Sequence, residues 1–244
     1  MMESPVYDNY KEFTERKFPN LKIESGVLYV VSTPVGNLMD ISFRALFILS
    51  GVDMIACEDT RVTSVLLNRY GIKNRLTSYY SKVESSKMSL IISELESGNS
   101  VALVSDAGTP GISDPGNMLI SECIKRGFRV SPVPGASALI HALVMSGFEN
   151  KHFFFQGFLP QKGRENLYSE LKRKRMPLII YESKFRIKKT LSELREHFGN
   201  RQAVVSREMT KLHETHYRGT LNEILSSVSG ITDKGEFVIV INNI

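Results

Sequence analysis

Val101-Ala102-Leu103-Val104-Ser105-Asp106-Ala107-Gly108-Thr109-Pro110-Gly111-Ile112-Ser113-Asp114-Pro115-Gly116 decides the fold. Val101–Ser105 has the length and apolar continuity of a buried strand. The loop Ser105–Gly116 follows it, with three glycines and two prolines in twelve residues. Asp114 and Pro115 then have the residue types of a helix N-cap and first helical position. An apolar strand, a side-chain-poor loop and a helix make one βα unit. Glycine in such a loop lets a ligand approach the peptide groups directly. The loop lacks the Gly-Lys-Ser/Thr of a Walker loop and the G-x-G-x-x-G spacing of a dinucleotide fingerprint.

The same alternation runs outward on both sides. Upstream, strands are expected at Val27–Ser32, Val52–Cys57 and Arg75–Tyr79. Asp40 is placed as the cap of the first helix, and further helices at Thr60–Tyr70 and Glu84–Ser97. Downstream, a helix reaches Gly127 and a fifth strand covers Arg129–Val133. Five strands separated by four helices predict a mainly parallel sheet covered on both faces. After Pro134–Ser137 the style continues. Helices are expected at Ser137–Met145, Arg164–Arg175, Phe185–Phe198 and Leu221–Val228. Strands are expected at His152–Gln156, Leu178–Tyr181, Gln202–Ser206, His213–Gly219 and Phe237–Ile241. The close strands near 202–219 predict a mixed sheet. The fold class is therefore α/β with two domains: an extension over 1–25, a first domain over 26–135 and a second over 136–244.

The 244 residues are 42% hydrophobic and 23% charged, which excludes disordered, collagen-like and disulfide-dense chains. Residues 1–137 carry 14 basic and 15 acidic side chains, and residues 138–244 carry 17 and 11. A basic excess confined to one half points to an anionic partner there, nucleic acid first. Cys57 and Cys123 form no C-x-x-C, and the first 25 residues hold no apolar core of a signal peptide. No run approaches the roughly 18 apolar residues of a membrane span. These features predict a cytoplasmic protein without a membrane association.

Three further stretches sit where strands end. Glu58-Asp59-Thr60-Arg61 places two carboxylates and a guanidinium there, either as chemistry or as a cap that the helix dipole favours. Pro134-Gly135-Ala136-Ser137-Ala138 offers a hydroxyl and free amides to a polar ligand. Phe153–Pro160 is either the wall of an adenine site or core. Lys162, Arg164, Lys172 and Arg175 are the candidate RNA-binding cations, the last two belonging to the run Lys172–Arg175 at a helix end. That run exceeds what the helix dipole explains. His213-Glu214-Thr215-His216 lacks the spacing of H-E-x-x-H, so no metal site is expected.

Taken together, Thr33–Ile41, Cys57–Arg61, Ser105–Gly116, Pro134–Ala138, Gly157–Pro160, Tyr181–Ser183 and Lys234–Phe237 resemble the tetrapyrrole-methylase-like class of S-adenosylmethionine-dependent methyltransferases. Within it they resemble the bacterial enzymes that 2′-O-methylate a cytidine of small-subunit ribosomal RNA. The resemblance spans about residues 26–241. It implies a homodimer of two-domain subunits that acts on ribosomal RNA or the small subunit, with S-adenosylmethionine in a cleft between domains. The donor would touch Pro34, Asp106, Gly108, Ile112, Ser113, Ser137, Leu159, Gly235, Glu236 and Phe237. Such enzymes often carry a helical extension after the last strand, which this sequence does not show. Glu58 and Asp59 become candidates for the base that takes the ribose proton, and Arg61 for orienting a phosphate. The rivals are a methylase of a tetrapyrrole or other small acceptor, and a non-catalytic RNA-binding module.

Overall fold

The computed structural model describes residues 12, 16–81, 84–149, 151–228 and 235–244. Most of the N-terminal extension, and Lys234, lie outside the described residues. The chain divides into two compact units, Met1–Ala136 and Ser137–Ile244.

Unit 1 is built on β1 (Val27–Val31), β2 (Met54–Cys57), β3 (Leu76–Ser78), β4 (Val101–Val104) and β5 (Arg129–Val133). All pairings are parallel, in the order β3-β2-β4-β1-β5. Helices α1 (Phe43–Gly51), α2 (Thr60–Arg69), α3 (Glu84–Glu96) and α4 (Asn117–Lys125) connect them. The three inner strands β1, β2 and β4 bury both faces and read as unbroken apolar runs, whereas the edge strands β3 and β5 are only partly buried. Tyr29, Val31, Ile55, Cys57, Ala102 and Val104 point to one face, with Leu46 and Leu49 of α1 and Leu66 and Leu67 of α2. Leu28, Met54, Ala56, Val101 and Leu103 point to the other, against Ile91 and Leu95 of α3 and Leu119 and Cys123 of α4.

Two helix starts differ from the sequence reading. Asp40 caps nothing: it closes a short 3-10 turn, Leu38–Asp40, whose cap is Asn37. Helix α1 begins later, where the Ser42 hydroxyl accepts from the Ala45 N–H at 3.1 Å. Asp114 and Pro115 do not open α4 either. The glycine loop doubles back there, so closely that a Cβ on Gly116 would lie 3.2 Å from the Gly111 nitrogen. The helix starts only after Gly116, which has φ +138° and makes no side-chain cap bond.

Unit 2 holds β6 (Phe154–Phe158), β7 (Leu178–Ser183), β8 (Gln202–Arg207), β9 (Thr215–Thr220) and β10 (Glu236–Ile241), in the order β6-β7-β10-β8-β9. β6 and β7 run parallel; the other pairings are antiparallel. Helices are α5 (Ala138–Ser146), α6 (Arg164–Lys172), α7 (Ile187–Phe198) and α8 (Leu221–Val228). The apolar run Phe237–Ile241 takes the central place because alternate side chains enter two cores. Phe237, Ile239 and Ile241 pack with α6, α7 and α8, while Val238 and Val240 pack with α5. No helix among the described residues is long and apolar enough to cross a membrane.

Two expected RNA-facing cations are placed otherwise. Arg164 is 8% exposed; its guanidinium donates to the carbonyl of Pro160, to Thr190 Oγ1 at 3.2 Å and to Glu193 Oε2 at 2.7 Å. It is an internal tie between α6 and α7. Arg175 is not helical: α6 ends at Lys172, and Arg175 has φ +49°. Pro177 disfavours helical geometry at Met176, so no helix could run on past the turn. Because Tyr168 also donates to Glu193 Oε2 at 2.7 Å, the carboxylate remains partly partnered without Arg164. Arg164→Gln should therefore cost about 2 kcal/mol, below the ~3–5 kcal/mol of a fully buried pair broken on one side. Urea denaturation reads this directly, and a loss under about 0.5 kcal/mol would return Arg164 to the class of surface cations.

Candidate active site

In a parallel sheet all strands end at one edge, and the loops that follow them gather there. β1 leads toward β2 on one side, whereas β4 leads past β1 to β5 on the other. The gap between β4 and β1 is thus the switch point where open α/β sheets bind ligands. Here the loops after these strands are joined by backbone. Thr33 N–H donates to Gly108 O at 2.9 Å and Gly108 N–H to Thr33 O at 3.1 Å. Thr33 Oγ1 donates to Ser105 O at 3.0 Å, and the hydroxyls of Ser32 and Thr109 lie 2.8 Å apart. Gly108 has φ +87°, yet a Cβ there would meet Val35 and the Ala136 carbonyl only at 3.6 and 3.9 Å. Its demand is for backbone conformation rather than space. Gly135 is the reverse case: a Cβ would fall 2.9 Å from Ser32 Cβ, so the loop after β5 lies directly on the loop after β1. Of the expected donor contacts in unit 1, Pro34 and Gly108 are buried in this cradle. Asp106, Ile112 and Ser113 are exposed on its rim.

The acids after β2 have opposite environments. Asp59 is the N-cap of α2 and accepts from Arg61 three ways: the backbone N–H at 2.8 Å, Nε at 3.0 Å and a terminal nitrogen at 2.6 Å. These bonds hold its carboxyl at about 2. Arg61 itself is 90% exposed. Glu58 is pushed above the ordinary carboxylate range, first by burial and then by the charges of Asp114 and Asp106. Asp106, although exposed as a residue, is also raised, by the partial covering of its carboxyl and then by Asp59, even as it accepts the Asp59 N–H at 3.1 Å. A general base works best with a pKa near the operating pH. Of the two consecutive acids, only Glu58 is shifted toward that range; Asp59 is cap and anchor for Arg61. Cys57 is wholly buried and its thiol is raised by that burial, so it is strand core and not a nucleophile.

The expected donor contacts of unit 2 are less uniform. Ser137 is the N-cap of α5 but makes no side-chain cap bond. Leu159 and Phe237 send their side chains into the core, both at 2% exposure, so only their peptide groups face outward chemistry. Gly235 has φ +124°, and a Cβ there would lie 3.0 Å from Glu208 Cγ. Glu236 meets the same neighbour: its N–H donates to Glu208 Oε1 at 2.9 Å, and its carboxylate takes Lys211 Nζ at 2.9 Å. The turn between β8 and β9 therefore supports the Gly235–Phe237 segment. Sequence reading passes over this turn because it places Glu208 and Thr210 at φ +50° and +65° without glycine. Farther along it, His216 is held between Ser206 Oγ at 2.9 Å and Glu214 Oε1 at 2.7 Å.

The basic run divides. Lys174 turns to Glu170 at 3.2 Å and sits 4.8 Å over the Phe154 ring. Lys172, Arg173 and Arg175 instead line a groove of about 570 Å³ with Arg201, Ser169 and Asn243. Arg201 is missed in sequence because it arrives from the start of β8. Lys162 is exposed in the loop before α6. This groove and the Gly235 segment lie at opposite ends of the sheet, separated by the length of β10, roughly 17 Å.

Comparison with known proteins agrees with this architecture. The family model for Tetrapyrrole (Corrin/Porphyrin) Methylases matches residues 27–225. A ribosomal RNA small subunit methyltransferase I of Thermotoga maritima is 44% identical over 218 residues, covering 89% of this chain and 98% of that protein. The Bacillus subtilis protein of the same name is 42% identical over 224 residues, 91% of this chain and 77% of its own. Among solved structures, a cobalt precorrin-4 methyltransferase superposes with a TM-score of 0.63 at 14% identity, covering 89% of this chain and 95% of that one. A uroporphyrin-III-C-methyltransferase from Thermus thermophilus does so with 0.61 at 16%, covering 89% and 95%. At such identities these structures share the fold. The switch-point cradle and the two sheets, read with the 44% identity, place the chain in the tetrapyrrole methylase family and, within it, among the ribosomal RNA small subunit methyltransferases I.

Proposed function

We propose that the protein transfers a methyl group from S-adenosylmethionine to the 2′-hydroxyl of a cytidine in small-subunit ribosomal RNA. The observation that carries the proposal is the stapled Thr33–Gly108 cradle beside a raised Glu58, in a chain of this family. The cradle suits such a donor. Asp106 and Asp114, on the loop after β4, supply negative charge and acceptors to a cationic, hydroxyl-rich molecule. Pro34, Asp106, Gly108, Ile112 and Ser113 would hold it, and when bound it supplies an electrophilic methyl group. No metal enters the scheme.

The chain's own task is then to position the acceptor and take its proton. A ribose hydroxyl is a poor nucleophile at neutral pH, so the proton must leave as the new bond forms. Glu58 takes it at a carboxylate oxygen. Arg61, oriented by Asp59, holds a phosphate of the acceptor strand. Lys172, Arg175 and Lys162 of unit 2 add phosphate contacts, and Arg164 is withdrawn from that set. The basic surplus of residues 138–244 supports RNA over a tetrapyrrole. The same reading takes the protein as a cytoplasmic homodimer. Tritium-methyl transfer onto small ribosomal subunits, free ribosomal RNA and tetrapyrroles tests the reading; labelling confined to tetrapyrroles would end it.

Glu58→Gln keeps the shape of the side chain and removes its charge. Turnover should fall by roughly 10²–10⁴-fold with donor affinity intact. The acid limb of the wild-type kcat/KM profile should lie above the ordinary carboxylate range and vanish in the variant. Stability gives an independent check. A carboxyl whose folded pKa is raised binds its proton more tightly when folded, so its ionisation opposes folding once pH exceeds the unfolded value. Glu58→Gln should thus raise the melting temperature at neutral pH, with the gain gone below about pH 4. Normal turnover would leave Glu58 without a catalytic part.

Lys172→Gln with Arg175→Gln should weaken binding to all RNA sequences alike. The slope of log affinity against log salt should fall by about 0.7–0.9 for each phosphate that is no longer neutralised. Donor affinity should not move. A wild-type slope in the double variant would make the groove a solvated helix end.

A further inference from the structure

β6, β7 and β8 end, and β10 begins, at one edge of the unit 2 sheet: Phe158 lies beside Tyr181, Glu236 opposite Ser183, and Phe237 opposite Arg207. The turn Lys184-Phe185-Arg186 stands on that edge. Its base is fixed by a wholly buried carboxylate. Glu182 accepts from Ser183 N–H at 2.7 Å, from Thr190 Oγ1 at 2.7 Å and from Arg186 Nε at 2.9 Å. Arg186 also donates to the Leu159 carbonyl at 2.9 Å. A buried charge with this many partners resists rearrangement, since losing one leaves the charge uncompensated. On this base Phe185 is held 82% exposed, with Lys184 Nζ 4.8 Å from its ring centroid. Phe158, on the neighbouring strand end, is 53% exposed and packs edge-on to Tyr181 at 5.7 Å.

A single exposed apolar side chain needs no explanation. Two aromatic rings on adjacent strand ends, one capped by a cation and mounted on a buried ion pair, do. The ammonium covers one face of the Phe185 ring and leaves the other open. We propose that Phe185 is a stacking platform for an unpaired base of the acceptor RNA, with Lys184 on the adjoining phosphate. The inference rests on the reading of this chain as an RNA methyltransferase and specifies what the strand-end edge of unit 2 contributes to it. Aromatic faces are how proteins hold splayed bases, and cations beside them follow the backbone.

The test uses the full-length protein and a single-stranded oligoribonucleotide of the small-subunit sequence carrying one 2-aminopurine. Phe185→Ala should weaken binding roughly 5- to 150-fold, abolish quenching of the probe and leave the salt slope unchanged. Phe185→Trp should restore both affinity and quenching. Lys184→Gln should instead lower the salt slope by about 0.7. Calorimetric affinity for S-adenosylmethionine should be the same in all variants, which reports an intact fold. Wild-type affinity and quenching in Phe185→Ala overturn the platform alone. A Phe185→Ala defect seen on assembled small subunits but not on free RNA also overturns it, by assigning the ring to a protein contact. Failure of the wild-type protein to bind either substrate overturns the RNA reading itself.

Discussion

Two backbone hydrogen bonds between Thr33 and Gly108 hold together what the site in unit 1 depends on. They fix the loops after β1 and β4 to each other across the switch point of the sheet. Gly108 can make both bonds only at φ +87°, a conformation other residues rarely adopt. Once these loops are joined, Ser105 and Thr109 are tied into the same cradle by side-chain bonds, and Gly135 closes it from the β5 side. Asp106 follows immediately after Ser105, so the position of its carboxylate beside Asp59 and Glu58 is set by the same pair of bonds. The like-charge part of the Glu58 shift, second to burial, is in that sense a consequence of strand order, which makes β2 and β4 neighbours.

Adjacent acids with opposite fates show how little the residue type decides. Glu58 and Asp59 are consecutive, and both are carboxylates at a strand end. Asp59 turns to the start of α2, where N–H groups and the Arg61 guanidinium favour its anion. Glu58 turns the other way, into partial burial and the fields of Asp106 and Asp114. Burial and like charge both penalise the ionised form, so the two neighbouring carboxyls are driven in opposite directions.

Much of the fold was legible because the relevant signals are local. Parallel strands buried on both faces read as continuous apolar runs, and glycines mark the helix ends, so the alternation of unit 1 follows from the sequence. The cradle was legible from its glycines and prolines. What could not be read depends on partners far along the chain. Arg164 and Lys172 have the same charge on the same helix, yet Glu193 and Thr190 of α7 draw only Arg164 inside. Arg201 joins the basic groove because β8 begins beside the end of β10, a fact of sheet order and not of spacing. The β8–β9 turn was illegible for a different reason: Glu208 and Thr210 adopt left-handed backbone without glycine, held there by Lys211, Glu214 and Glu236.

The unit 2 sheet has chemically distinct ends. At one, Lys172, Arg173 and Arg175 present point and fork charges suited to phosphate, beside an Arg201 whose guanidinium donates to the carbonyls of Phe198 and Ile244, with neither aromatic rings nor acidic side chains among the groove-lining residues. At the other, exposed rings sit on a frame of compensated charges: Glu182 with Arg186, and Lys211 with Glu208 and Glu236. Charge that is already paired contributes little long-range attraction, whereas a cluster of one sign, such as the groove's, does. The two ends therefore suit successive stages of one encounter. On the proposed reading, the groove would raise the local concentration of any RNA irrespective of sequence, and the aromatic edge would act at short range on bases that are not paired. A strand held roughly 17 Å away by its phosphates would be positioned without its sequence being read, which would leave discrimination to the end that carries the rings.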